Sequence, residues 1–122
     1  MEKMRAMVLS ECAKIETNPL KSTNIDKHQI ERQNEILLKI EACGVCHSQL
    51  HGIEGDWKHI GIPASLPIVP GHEVVGEIVE IGKEVTKFKI GDRAGITPLL
   101  EACKKCQYCD EGKEYLCESS KI

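Results

Sequence analysis

The sequence predicts a mainly β domain with short helices, to which a small four-cysteine lobe is attached. Three observations predict it. Short runs rich in Val, Ile and Leu recur between glycines and prolines, at Arg5–Leu9, Glu35–Ala42 and Gly71–Gly82, with a further short strand expected after Gly91-Asp92. Only four residues of the whole chain are Trp, Tyr or Phe, so the core must be aliphatic. Finally, four of the seven cysteines, Cys103, Cys106, Cys109 and Cys117, fall close together near the end of the chain.

Length and composition set the frame. A chain of 122 residues is one domain of ordinary size. It is long enough to bury roughly two-thirds of its unfolded surface and to hold a core without staples. At 41% hydrophobic residues it reads as globular rather than disordered. The net charge of −3, with mixed signs, argues against nucleic acid or an anionic membrane as partner. The first ten residues lack the apolar run of a secretory signal, and no stretch approaches a membrane span, so the expected location is cytoplasmic.

In chain order, Arg5–Leu9 reads as a strand. Cys12 is a lone cysteine, a type usually buried as a small hydrophobe, and receives no function. Thr17–Gln33 is polar, with Asn18-Pro19 as a turn signal and His28 on the surface. In Glu35–Ala42, Leu38, Ile40 and Ala42 would share one strand face, with Leu37, Lys39 and Glu41 on the other. A short helix is the alternative, but strand suits the following Gly44 better.

The next segment, Cys43-Gly-Val-Cys46-His47-Ser48-Gln49-Leu50-His51, concentrates chemistry. Gly44 permits a sharp exit from the strand. On a helix, His47 and His51 share a face. The segment could supply half of a metal site through Cys46; the alternative is a cysteine-rich turn with surface histidines. Glu54–Pro70 is a loop, since Pro63, Pro67 and Pro70 fit neither a helix interior nor a central strand. Within it Trp57 is either a packing residue or part of a substrate pocket, and His59 is exposed. His72 stands at the entrance of the next strand beside Glu73, as a ligand with a neighbouring carboxylate would. Gly76 inside that strand suggests a bulge or a close backbone approach. The glycines at 71, 76 and 82 do not spell Gly-x-Gly-x-x-Gly, so no dinucleotide fingerprint is present.

The last segment reads Cys103-x2-Cys106-x2-Cys109-x7-Cys117. Tight turns aim paired sulfurs at one point and a longer return brings in the fourth, which suits a tetrahedral four-thiolate zinc site. Such a metal would hold together a lobe with little apolar content of its own. Lys104, Lys105 and Lys113 could offset its negative charge. A disulfide framework and a redox pair are the alternatives; the absence of a secretory signal favours metal.

Taken together, these motifs resemble the zinc-dependent alcohol dehydrogenases of the medium-chain dehydrogenase/reductase superfamily. The resemblance is carried by Gly71-His72-Glu73-x2-Gly76-x5-Gly82-x2-Val85, by Gly44-Val45-Cys46-His47-Ser48-x-Leu50-His51, by Gly55-Asp56-Trp57 and Gly91-Asp92-Arg93, and by the four-cysteine lobe. It implies a GroES-like, partly open β-barrel over residues 1–122, with the zinc lobe at about 97–120 and the Rossmann domain outside this chain. It also implies that Cys46 and His72 ligate a catalytic zinc, with Glu73 able to approach the metal. Ser48 would contact the alcohol oxygen and start a proton relay ending at His51. His47 would lie near the cofactor phosphates and Trp57 along the substrate pocket. Cys103, Cys106, Cys109 and Cys117 would hold a structural zinc, and Cys43 would be a spare buried thiol.

The implied reaction oxidises an alcohol to an aldehyde or ketone, with hydride transfer to NAD or NADP. Both the third catalytic ligand, usually Cys, and the cofactor domain would lie downstream of residue 122, so the isolated chain is expected to be inactive. A truncated zinc-binding scaffold, and a subunit completed by a separate Rossmann-domain partner, are the alternatives. Three positions depart from the family pattern. Gln49 replaces the usual Asp, Pro98 replaces a pocket Trp of bacterial and yeast-type enzymes, and Lys105 stands where small residues are frequent.

Overall fold

The computed structural model describes residues 1–122. Two small antiparallel sheets form the body. In the first, β1 (Lys3–Leu9) pairs with β2 (Leu20–Asp26), from Lys3 opposite Asp26 to Leu9 opposite Leu20. In the second, β4 (Val74–Ile81) lies between β3 (Ile36–Cys43) and β5 (Arg93–Ile96). One bridge, Leu9 with Ile68, ties the first sheet to the proline-rich loop. The sheets are mainly β as expected and remain open rather than closing into a barrel.

Strand β2 departs from the sequence reading, which left Thr17–Gln33 without a strand. Its sequence, Leu-Lys-Ser-Thr-Asn-Ile-Asp, has only Leu20 and Ile25 half-buried. A strand exposed on both faces shows no apolar alternation, and its pairing with β1 decides its conformation. The turn before it matches the Asn18 signal: a 3-10 turn at Ile15–Thr17 ends on Asn18 at φ 52°, a left-handed position that asparagine tolerates.

The alternation expected in β3 is also broken. Register shifts fall between Leu37 and Leu38 and between Ile40 and Ala42. Each bulge resets which face a side chain occupies, so Ile36, Leu37 and Leu38 are all half-buried while Ile40 is 53% exposed. Gly76 sits opposite Ile40, and a Cβ there would come within 2.3 Å of the Lys39 carbonyl oxygen. The close approach read from sequence is therefore what requires this glycine.

The core is thinner than the length suggests. Seven residues are buried, and only Leu9 and Ile78 are large side chains wholly withdrawn from water. Two open sheets each leave a face uncovered, so the strand residues Met7, Ile40, Val79 and Ile96 stand in solvent. The expectation of a full core without staples is corrected accordingly, and cross-links outside the apolar core gain weight.

Beyond β5 the chain forms the lobe. Its neck is closed where Glu101 and Lys121 bridge, with Lys121 N–H donating to the Glu101 carbonyl at 2.9 Å. Arg32 fastens this neck to the body through its 3.1 Å ion pair with Glu101, while its Nε holds Glu35 at 2.8 Å.

Candidate functional site

The lobe sulfurs come from a turn, one short helix and a return. Helix α2 (Gln107–Asp110) carries Cys109, with Cys106 at its N-cap. Cys117 follows a 3-10 turn at Glu114–Leu116 and is buried. All four Sγ atoms lie within 4.8 Å of one another. A tetrahedron with zinc–sulfur bonds of about 2.3 Å places its sulfurs about 3.8 Å apart, and Cys103 and Cys109 are separated by 3.9 Å. The donor set therefore fits zinc.

The backbone prepares the sulfurs as anions. The N–H groups of Lys105 and Cys106 donate to Cys103 Sγ at 3.5 and 3.2 Å, and that of Cys103 donates to Cys117 Sγ at 3.4 Å. The N–H bonds from Lys105, which leads, and from Cys106 bring the Cys103 thiol down to about 6. Burial pushes Cys109 up to about 12, as withdrawal from water disfavours a thiolate that nothing neutralises. Of the three lysines expected to offset the charge, Lys113 is engaged elsewhere, by Glu111 at 2.9 Å. Lys104 adopts φ 60°, a left-handed conformation that the first cysteine turn imposes.

The second cluster forms where helix α1 (His47–Glu54) starts from Cys46, its N-cap. Ser48 stands in the first turn, and its Oγ lies 3.0 Å from Cys46 Sγ and 3.1 Å from His72 Nε2. His72 arrives from the entrance of β4, and its other nitrogen, Nδ1, meets the amide nitrogen of Gln49. The hydrogen bond from Ser48 leads the influences holding the Cys46 thiol below its ordinary range. A soft sulfur and an imidazole nitrogen thus converge across one hydroxyl, and both types suit zinc. No third His, Cys or carboxylate gathers with them.

The remaining predicted residues surround this pair. His47 and His51 do share a face of α1, with ring centroids 5.0 Å apart. His51 stacks on Trp57 at 4.8 Å and pairs through Nδ1 with Asp56 at 2.9 Å. No hydrogen bond joins Ser48 to His51. Glu73 is exposed, and its carboxylate occupies the space a Cβ on Gly44 would take, 2.6–2.9 Å from that position. Cys43, expected to be buried, is exposed: it ends β3 at the open rim of the sheet. His28 and His59 are exposed as read, and Cys12 is half-buried with its thiol toward the Gly52 carbonyl.

A cavity of about 430 Å³ opens beside this cluster, with Ser48, His72, Trp57 and Pro98 on its walls and Ile53 and Ile62 among the apolar groups. A larger space of about 1010 Å³ lies between the Arg32 loop and the lobe neck. There Arg32 pairs with both Glu35 and Glu101, whereas the smaller cavity carries the imidazole of His72 and the hydroxyl of Ser48 and is the candidate chemical site. Sequence reasoning missed Asp56 as the partner of His51; its place just past the Gly55 that ends α1 was the available signal.

Open β-sheets, a cysteine-initiated helix and a four-sulfur lobe define a class, a GroES-like β domain carrying a metal-site lobe. Residues 32–122 match the alcohol dehydrogenase GroES-like domain, and the chain belongs to that family. It is 46% identical over 114 residues to an alcohol dehydrogenase of Geobacillus stearothermophilus, which covers 93% of this chain and 31% of that protein. Among solved structures it resembles the alcohol dehydrogenase of the hyperthermophilic archaeon Aeropyrum pernix, with TM-score 0.79 and 30% identity over 98% of this chain and 33% of that one. It also resembles the CAD from Helicobacter pylori complexed with NADP(H), with TM-score 0.71 and 33% identity over 96% of this chain and 32% of that one. The chain thus spans about a third of the length of these relatives. No helix is long and apolar enough to cross a membrane.

Proposed function

We propose that residues 1–122 are the catalytic-domain portion of a zinc-dependent alcohol dehydrogenase, which oxidises an alcohol to an aldehyde or ketone with hydride transfer to NAD or NADP. The observation that carries this reading is the convergence of Cys46 Sγ and His72 Nε2 on Ser48 Oγ at the wall of the 430 Å³ cavity. In this reading Cys46 and His72 hold the catalytic zinc, Glu73 is a carboxylate in reserve, and Cys103, Cys106, Cys109 and Cys117 hold a structural zinc. When bound, the catalytic zinc supplies Lewis-acid polarisation of the substrate oxygen.

The chain's own residues supply the rest. Ile53, Ile62 and the Trp57 ring exclude water and favour an apolar substrate body. Ser48 stands where a hydroxyl can accept a proton from the substrate oxygen and pass it on. His51, held through Nδ1 by Asp56, is an imidazole that can take up the proton in this reading. Because Ser48 and His51 are not bonded to each other, a water would complete the path between them in this reading. His47, at the start of α1, faces the cofactor phosphates in this reading. The dinucleotide site itself belongs to a Rossmann domain beyond these residues.

The 122-residue chain alone is therefore expected to show no alcohol-dependent formation of NADH or NADPH. Joined to the dinucleotide-binding domain of a relative and loaded with zinc, it is expected to show such formation, and Ser48→Ala is expected to lower the rate by about 10²–10⁴-fold. Activity of the isolated chain, or none in the joined protein, contradicts the reading; the second result favours a zinc-binding scaffold.

A further inference from the structure

We propose that His47 and His51 form a two-ligand site for a divalent transition metal of the nickel(II) type on one face of helix α1, with Asp56 as the residue that orients His51. Neither histidine lines the 430 Å³ cavity, and neither belongs to the four-cysteine cluster. The proposal does not depend on the chain being part of an alcohol dehydrogenase.

The first condition for such a site is the separation of the two rings. Residues four apart on a helix lie one above the other, with Cβ atoms about 5–6 Å apart. Two histidines at this spacing are known to share one ion on a helix face. The ring centroids of His47 and His51 are 5.0 Å apart, with planes at 60°. Two imidazoles bound to one ion at about 2.0–2.1 Å, at angles between square and tetrahedral, have centroids roughly 4.5–5.2 Å apart. The rings therefore already stand at the separation a shared ion requires.

The second condition is a nitrogen left free on a ring that is held in place. Asp56 is tied to His51 twice: its backbone N–H donates to the His51 carbonyl at 3.0 Å, and its carboxylate meets His51 Nδ1 at 2.9 Å. Nδ1 is thereby occupied, and Nε2 is left for a metal. A carboxylate on the far nitrogen is the usual companion of a ligating histidine. Trp57 stacks on the same ring at 4.8 Å, with planes at 21°, and fixes its plane. His47 is exposed, so its ring turns toward an ion without displacing a buried neighbour. Imidazole suits nickel, copper and zinc, and water fills the remaining positions. With only two protein ligands the ion is held loosely, so a chelator of moderate strength removes it while the four-thiolate zinc stays.

Trp57 is the only tryptophan of the chain, and it touches His51, so a paramagnetic ion on that ring quenches its fluorescence. The test titrates nickel(II) into the chain with one equivalent of zinc in the lobe and with Cys46→Ser, which removes the neighbouring thiol. The expected result is saturable quenching with a single midpoint, reversed by chelator. His47→Gln and His51→Gln should each raise that midpoint by about 10²-fold, because one imidazole alone loses the gain from linking two ligands. Asp56→Ala should raise it by about tenfold. His59→Gln, two residues from Trp57, and His72→Ala should leave it in place. Quenching that does not saturate, a midpoint unchanged in His47→Gln, or one lost only in His72→Ala overturns the proposal. An unchanged midpoint in Asp56→Ala overturns the orienting role of that residue. His47 is exposed, so its substitution tests the site without disturbing the fold.

Discussion

In the lobe, four sulfurs drawn from one continuous stretch face one another within 4.8 Å. At the Cys46–His72 pair, two donors from separate segments face a serine hydroxyl instead, and no third donor joins them. In the lobe, burial raises Cys109 while backbone N–H groups lower Cys103. At the pair, His72 meets Gln49 and Ser48, and Ser48 also meets Cys46. The difference separates four converging thiols that fit a metal by themselves from a pair that would need further groups to hold one.

Three perturbations sharpen this contrast, from the largest expected effect to the smallest. Cys117→Ser removes a buried sulfur from the four-cysteine cluster. Because structural zinc supplies on the order of 10 kcal/mol in small zinc-binding peptides, the lobe should lose its fold, with amide exchange from residue 100 onward approaching that of an open chain. The β3–β4–β5 sheet should stay protected, since none of its strands belongs to the lobe. His72→Ala should leave the lobe zinc in place and shift Tm by less than about 5 °C, because the residue is half-buried and its partners can turn to water. A collapse comparable to that of Cys117→Ser would contradict the distinction between the two sites.

The smallest effect concerns the tie between lobe and body. Hydrogen bonding to the Arg32 side chain, helped by backbone N–H groups, lowers Glu35 from an ordinary 4.5 to about 2. A depressed carboxyl contributes stability that is fully present above its unfolded value and is lost as pH falls through the folded one. Glu35→Gln should therefore be less stable than the native chain above about pH 4.5. The gap should close as pH is lowered toward 2, as followed by denaturant titration at several pH values. Since Arg32 is exposed and Glu35 only half-buried, added salt should narrow the gap as well.

How legible each region was follows from the same contrast. The lobe was readable because its ligands are local: spacing alone aims the sulfurs. Gly76 was readable because a glycine inside a Val- and Ile-rich run has few other reasons to be there, and the Lys39 carbonyl supplies that reason. Strand β2 was not readable, since both its faces meet water and only pairing with β1 makes it a strand. The face of Ile40 was misjudged because a bulge leaves no mark in apolar periodicity. The convergence of Cys46 with His72 depends on β4 lying beside β3, a contact that no local spacing encodes. Asp56 stayed invisible because its role rests on how the end of α1 turns back on His51.

The central claim is that this chain completes one metal site, the lobe, and leaves the other open. Counting zinc per chain after dialysis against a chelator of moderate strength tests it most directly, with Cys117→Ser beside the native protein. The account predicts about one zinc in the native chain and none in the variant. Two zincs retained with equal tenacity, or one zinc that persists in Cys117→Ser, would contradict it.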